Sequence, residues 1–405
     1  MTKDDLIYDW NSVGREDTAP RRVELNDESL RDGLQSPSVI DPPIDQKIAL
    51  LHLMDSLGIH SADIGLPGAG PRAVADVTRL AEEIVACKLD IQPNCAARTV
   101  IADIIPIIEI SQKVGIPIEA CTFIGSSPIR QYAEGWSLEM MLTATEEAVK
   151  FATSHGLPVM YVTEDTTRAN PKMIRALYRT AIEAGARRVC VCDTVGHATP
   201  DGVHVLIGYI KDVIRGMQLG EDIQVDWHGH QDRGLGVINA IAAFEAGVDR
   251  LHGTALGIGE RVGNTPMDQL LVNLKLMGYI DNDLTNLARY CDTASAATGV
   301  PIPVSYPVVG RDAFRTATGV HAAAVIKAFR KGDDWLADAV YSGVPAKAFG
   351  RQQEIEIGPM SGKSNVIFWL ERNGIEPTTE RVERIFNRAK TSASVLTTEE
   401  ILKSI

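Results

Sequence analysis

Eight short apolar runs, at residues 23–27, 61–66, 90–95, 118–124, 159–165, 188–194, 222–230 and 250–257, alternate with longer amphipathic stretches, and this alternation restricts the fold more than any other feature. The stretches at 46–57, 73–86, 100–113, 138–155, 171–184, 200–217 and 234–246 carry apolar residues at helical spacing. Short, nearly continuous apolar runs suit parallel strands buried on both faces, with helices as the cover. Eight such units in roughly 250 residues suit a closed barrel better than an open doubly wound sheet, whose first strand usually leads into a Gly-rich phosphate turn. Here the first turn reads Arg31, Asp32, Gly33, Leu34, Gln35, with no G-x-G-x-x-G. The expected fold is therefore α/β, a (β/α)8 TIM barrel over residues 23–280.

An amino-terminal arm is expected over 1–22, and a linker with a mainly helical subdomain over 281–405. The boundary signal is the proline-rich link at 300–307, where proline removes backbone donors and disfavours helix. A lid or dimerisation role is expected for this extension. With 45% hydrophobic and 23% charged residues and no apolar run near the ~18 residues that span a bilayer, no membrane association is expected. The first twenty residues are polar and lack the pattern of an export signal, and the six scattered cysteines lack Cys-x-x-Cys spacing. A reducing, cytoplasmic setting follows. A net charge of −13 excludes a basic nucleic-acid face. Cys190 and Cys192 share a strand face and read as small buried apolar residues rather than metal ligands.

Barrel enzymes build their sites at the carboxyl ends of strands, and polar residues fall at those ends here. Arg31 and Asp32 follow the first run, Asp63 lies on the second, Asn94 and Arg98 close the third, and Glu164, Thr194, His228 and His230 close the fifth to seventh. His228 and His230, one residue apart on an extended run, point to one side of the strand and can grip one ion. Imidazole suits Zn, Mn, Fe or Co, but two ligands are too few, so a carboxylate must come from elsewhere in the chain.

Several motifs in one order resemble the acetyl-CoA-dependent DRE-TIM metallolyases: 2-isopropylmalate, homocitrate and citramalate synthases. The stretch from Asp27 to Gln35 is similar to D-x-x-L-R-[DE]-G-x-Q, and that from His228 to Gly234 to H-x-H-N-D-x-G with Gln231 for the Asn. The stretch from Gly257 to Asn264 matches G-x-G-E-R-x-G-N, that from Asp193 to Pro200 fits D-T-x-G-x-x-x-P, and Thr318 to His321 is similar to S-G-x-H. The resemblance runs from about Val23 to Leu370. It implies one divalent metal ion (Mn, Mg, Zn or Co) held by Asp32, His228 and His230, with Asn264 supporting a ligand or its water. Arg31 would stabilise charge developing on oxygen. His321, oriented by Glu164 and assisted by Tyr341, would supply the base from a neighbouring subunit, so a homodimer is expected. Gln35, Asp63, Asn94, Arg98, Cys121 and Thr194 are the implied substrate-binding residues, and acetyl-CoA and a 2-oxo acid the implied partners.

Three positions depart from that pattern. Leu34 stands where the synthases carry a polar residue and is similar to the hydroxymethylglutaryl-CoA lyases; Asp63 replaces a Glu; Cys121 replaces a His. The expected function is condensation of acetyl-CoA with a 2-oxo acid to an alkylmalate and CoA. The rivals are an acyl-CoA carbon–carbon lyase and a non-catalytic sensor of an oxo acid or CoA.

Overall fold

The structure, a computed structural model, describes residues 3–11, 13, 21–219 and 222–405. The rest of the arm expected over 1–22, residues 1–2, 12 and 14–20, lies outside the described residues. Eight parallel strands close in sequence order: β1 (Glu24–Asp27), β2 (Ser61–Asp63), β3 (Gln92–Arg98), β4 (Glu119–Gly125), β5 (Val159–Glu164), β6 (Arg188–Asp193), β7 (Gln224–Gly229) and β8 (Arg250–Gly253). Closure comes from β8 pairing with β1, Leu251 opposite Leu25. The barrel expected from the alternation is what the chain forms.

Around it run α1 (Ile44–Ser56), α2 (Pro71–Cys87), α3 (Ile101–Val114), α4 (Pro128–Glu134), α5 (Leu138–Ser154), α6 (Pro171–Glu183), α7 (Pro200–Arg215), α8 (Gly236–Glu245) and α9 (Met267–Leu276). Their starts follow from local chemistry. The Asn170 side chain accepts from the Met173 N–H at 3.0 Å and Thr199 accepts from Gly202 N at 3.3 Å. In both helices a proline occupies the next position, where its missing N–H costs no bond. Helix α6 buries Met173, Ile174, Leu177, Tyr178, Ala181 and Ile182 against the barrel. Truncating one of these, as in Leu177→Ala, would cost ~2–5 kcal/mol. Outward-facing strand residues such as Leu25, Tyr161 and Trp227 complete the layer and are fully buried.

Strand β3 runs to Arg98, three residues past the expected 90–95, because Ala96, Ala97 and Arg98 pair with Cys121, Thr122 and Phe123 of β4. Beyond the barrel, α10 (Leu287–Thr298) contributes Leu287, Tyr290, Cys291 and Ala294 to the barrel's own core. The remaining chain is mainly helical: α11 (Gly319–Arg330), α12 (Asp334–Ala339), α13 (Lys363–Arg372), α14 (Thr379–Thr391) and α15 (Thr398–Leu402). The last three surround Ile357, Val366, Leu370, Val382, Ile385 and Leu396. A short parallel ladder of β9 (Arg315–Thr316) and β10 (Glu354–Ile355), which the sequence pattern does not announce, sits beside them. All six cysteines are free. Among the described residues, no helix is long and apolar enough to cross a membrane.

Candidate active site

The carboxyl ends of the strands open into a cavity of about 290 Å³. Its chemistry is concentrated where β1 meets β7 and β8. After β1 the chain turns into a 3-10 helix, Asp32–Gln35, with the Arg31 and Gly33 N–H groups both donating to the Glu28 carbonyl. That turn brings Glu28, Arg31 and Asp32 to the cavity together. On β7 the pleat sends Trp227 outward into the helix layer, and Asp226 and His228 inward.

The Nε2 atoms of His228 and His230 face each other at 3.2 Å, and His228 Nε2 stands 3.6 Å from Asp32 Oδ2. One ligand atom from each of the three lies within 4.8 Å of the others. Glu28 accepts the Nδ1 proton of His228 at 2.6 Å, which in the neutral ring leaves the Nε2 lone pair toward Asp32 and His230. Two imidazole nitrogens and a carboxylate oxygen, with positions left for other ligands, fit a divalent cation. In the chain alone the acidic surroundings put a proton on the His228 ring instead, one that a bound cation would displace. Burial opposes protonation of His228, but the charge and hydrogen bond of Glu28, with Asp32 a smaller contributor, outweigh it and hold its pKa at about 10. Burial and the charge on His228 push His230 down to about 4.

Arg31 is clamped by three carboxylates, donating from Nε to Asp63 at 2.7 Å, from one terminal nitrogen to Asp32 at 3.0 Å and from the other to Glu28 at 3.3 Å. Five guanidinium N–H donors minus those three leave two for a ligand. Asp63 spends its other oxygen on the Gly65 N–H at 3.2 Å. Burial, countered by Arg31, raises its carboxyl to about 6. The Asn264 amide donates to Asp32 Oδ1 at 3.2 Å and to the Ile258 carbonyl at 3.1 Å. This approach depends on Gly259 at φ +149°, where a Cβ would overlap the Asn264 amide.

Behind the site a ladder of charge fills the barrel interior. His252 faces Glu28 at 2.9 Å through Nδ1 and Asp226 at 2.8 Å through Nε2, so both nitrogens carry protons and the ring is an imidazolium. Burial opposes that charge, and the two carboxylates prevail. Asp226 in turn pairs with Arg250 and Arg188, each at 2.6 Å, and Arg250 with Glu119 at 2.7 Å.

The structure gathers Arg31, Asp32, Gln35, Asp63, Cys121, Glu164, Thr194, His228 and His230 around the one cavity. Glu164 stands at its rim with a carboxyl raised by burial against the pull of Arg130 and Arg31. The Thr194 hydroxyl accepts from the Asp165 N–H at 2.8 Å. Asn94 and Arg98 do not join them. Asn94 sits near the start of β3, donates to Asn26 at 2.6 Å and borders the opposite opening of the barrel. Arg98 turns outward and makes two bonds to Asp103 at 2.7 and 2.9 Å. Asn264 touches Asp32 without lining the cavity. His321 on α11 and Tyr341 just past α12 are stacked at 4.2 Å between ring centroids, exposed, and outside the cavity of their own chain.

Sequence reasoning missed Glu28 and His252, together with Glu260 and Arg261 at the cavity rim. The last two lie inside the Gly257 to Asn264 motif. Glu28 carried one signal, an acid three residues before Arg31 on the first turn.

A family model described as HMGL-like matches residues 22–296. The chain belongs to the HMGL-like family. Homocitrate synthase AksA of Methanopyrus kandleri is 33% identical over 93% of this chain and 89% of its own length. A probable 2-isopropylmalate synthase of the same organism is 32% identical over 92% of this chain and 70% of its own. The 2-isopropylmalate synthase of Sulfurisphaera tokodaii is 31% identical over 91% and 90%. These relatives mark an enzyme of the alkylmalate and homocitrate synthase group. Among solved structures, the HMG-CoA lyase of Bacillus subtilis superimposes with a TM-score of 0.58 at 20% identity, covering 70% of this chain and 96% of that one. At that identity the likeness concerns the barrel fold alone.

Proposed function

We propose that this chain condenses acetyl-CoA with a 2-oxo acid to give an alkylmalate and free CoA, at a divalent metal held by Asp32, His228 and His230. The observation that carries the reading is Arg31 fixed beside that ligand group at the carboxyl-terminal mouth of a barrel whose curated relatives are synthases. When bound, the metal supplies a Lewis acid for the ketone of the oxo acid. Arg31, immobilised by its three carboxylates, turns its two free N–H groups to the oxygen on which charge develops, and needs no rearrangement to do so. Thr194 and Gln35 border the same space and offer hydrogen bonds to the oxo acid's carboxylate. The new carbon–carbon bond joins the acetyl methyl carbon, after loss of its proton, to the ketone carbon. Water then cleaves the thioester and CoA leaves as its thiol.

The base is His321, delivered into the barrel of a second copy in a homodimer, where Glu164 receives it. Support comes from the exposure of the His321 and Tyr341 pair and its absence from the cavity of its own chain. Leu34 favours carbon–carbon cleavage as a second reading, whereas the homocitrate synthase relative aligns over 93% of the chain and so reaches into the extension.

The test is a thiol-release assay with acetyl-CoA, a divalent metal and a panel of 2-oxo acids, in which at least one oxo acid releases CoA. Cleavage of a 3-hydroxy-3-methylacyl-CoA, with no release from acetyl-CoA across the panel, would replace the synthase with the lyase.

A further inference from the structure

We infer that the oxo acid taken by this site carries an uncharged, apolar side chain. The inference builds on the condensation reading and concerns the wall of the cavity formed by β4, β5 and β6, which meets the ligand group where Cys192 pairs with His228. Cys121 of β4, Met160 and Val162 of β5, and Cys190 and Cys192 of β6 form a hydrophobic cluster of their own, apart from the main core, and all five line the cavity. Strand pleating explains the cluster. Positions 160 and 162, and 190 and 192, alternate inward on adjacent strands, and in a barrel inward means toward the substrate. Burial, with Glu119 and Asp63 adding to it, keeps the Cys121 thiol protonated, and burial does the same for Cys190. The wall is soft, polarisable and uncharged.

The cations point the same way. A second carboxylate on the substrate would need a partner inside the cavity, because an unpaired buried charge is costly. Arg31 is committed to Asp63, Asp32 and Glu28, with its spare donors directed to the reacting oxygen. Arg261 makes two bonds to Asp232, at 2.8 and 2.9 Å, and a third to the Thr194 carbonyl at 2.6 Å. Arg98 is held by Asp103 away from the cavity, and Arg130 lies at the rim between Glu134 and Glu164 with its guanidinium over Trp136. With the ion bound, the lining carboxylates Glu28, Asp32, Asp63, Glu164 and Glu260 are balanced by Arg31, Arg261, the His252 imidazolium and the ion, so no excess positive charge is left to receive a distal carboxylate. A branched or short alkyl group meets sulfur and methyl groups instead.

The experiment has two arms on the full-length, metal-loaded protein. In the first, kcat/KM for CoA release from acetyl-CoA is compared for 2-oxoisovalerate, pyruvate and 2-oxoglutarate. The better of the two apolar acids should exceed 2-oxoglutarate by about 100-fold or more, the range by which unpaired polar groups are rejected. In the second, the same acids are titrated without acetyl-CoA and binding is read by calorimetry, and the apolar acids should again bind more tightly. No CoA release with any acid, together with selective binding of an apolar acid, would remove the condensation reading and leave the wall's selectivity standing. Equal or preferential binding or turnover of 2-oxoglutarate would overturn the inference itself, as would failure of all three to bind. Cys121→Leu, checked for an unchanged circular dichroism spectrum, narrows the wall and should lower kcat/KM for 2-oxoisovalerate at least tenfold more than for pyruvate. Equal losses would place the side chain elsewhere.

Discussion

Glu28→Gln tests how the ligand group is built. Glu28 is 3% exposed and accepts from His228 at 2.6 Å, His252 at 2.9 Å and Arg31 at 3.3 Å. Glutamine keeps the shape but offers one acceptor oxygen and one NH2 group. Whichever way the amide turns, its NH2 confronts a ring N–H or the guanidinium, each of which also donates. The His252 imidazolium then keeps only Asp226 as a counter-charge, and His228 loses the acceptor that fixes its Nε2 toward Asp32. Charge-assisted hydrogen bonds are worth ~1.5–3 kcal/mol, and breaking a buried pair costs ~3–5 kcal/mol, so the variant should lose about 3 kcal/mol of stability. Partners that orient a metal-ligating histidine typically contribute 10–100-fold in affinity, which is ~1.4–2.8 kcal/mol. Urea unfolding of the metal-free protein reads the first quantity and calorimetric titration with Mn or Zn the second. His252→Asn serves as the comparison, because it breaks the same ladder one step farther from the metal: similar lost stability with a smaller loss of affinity. A Glu28→Gln protein that folds normally and binds metal within twofold of the parent would refute the argument.

Three further outcomes follow. His230→Ala should abolish stoichiometric metal binding with the fold intact, since the ring sits at the strand's end and its Nδ1 has no hydrogen-bond partner among the described residues; one metal per chain in that variant, by elemental analysis, would remove His230 from the ligand set. Mixing inactive His321→Ala chains with inactive Arg31→Ala chains should restore roughly a quarter of parent activity if subunits exchange statistically in a dimer, whereas proven exchange without recovery would place His321 outside the partner's site. Burial, against hydrogen bonds from Ser29 and Tyr290, raises Asp27 to about 6. The folded chain therefore holds a proton that the unfolded chain releases near pH 4, and stability declines as pH rises from about 4 to 6, by about 3 kcal/mol for this group. In Asp27→Asn that contribution disappears, so the urea midpoints of parent and variant should shift relative to each other across this window, and a constant difference would contradict it.

The barrel was legible because each strand is buried on both faces and so appears as a short apolar run, repeated eight times with helices between. The histidine pair was legible because a period of two needs only neighbouring residues. What local pattern could not supply was depth along a strand. Asn94 and Arg98 share a face of β3, yet the strand begins at Gln92 and ends at Arg98, so Asn94 falls too low and Arg98 reaches α3, where Asp103 captures it. Ala96, midway between them, is the β3 side chain that meets the cavity. Glu28 was illegible for a different reason. Its partners His228 and His252 lie 200 and 224 residues away, and nothing near Glu28 in sequence announces a carboxylate shared by two strands across the closure of the barrel.

The turn after β1 also explains how Asp63, shorter by a methylene than the glutamate of the resembled synthases, still reaches the guanidinium of Arg31. Arg31 bridges the difference: its Nε reaches Asp63 at 2.7 Å while its terminal nitrogens hold Asp32 and Glu28. The guanidinium is thus located by β2 on one side and by the turn after β1 on the other, and its plane is set by geometry rather than by a single pair. A Lys at this position has three donors and no rigid fork, so even with all three spent on the carboxylates none would remain for a ligand. The same clustering leaves the mouth rich in acid, with Glu164 and Asp63 both raised above their ordinary range by burial. A divalent cation among Asp32, His228 and His230 would offset that excess. Ligand geometry and charge balance at the mouth therefore make the same demand on the residues that follow β1 and β7.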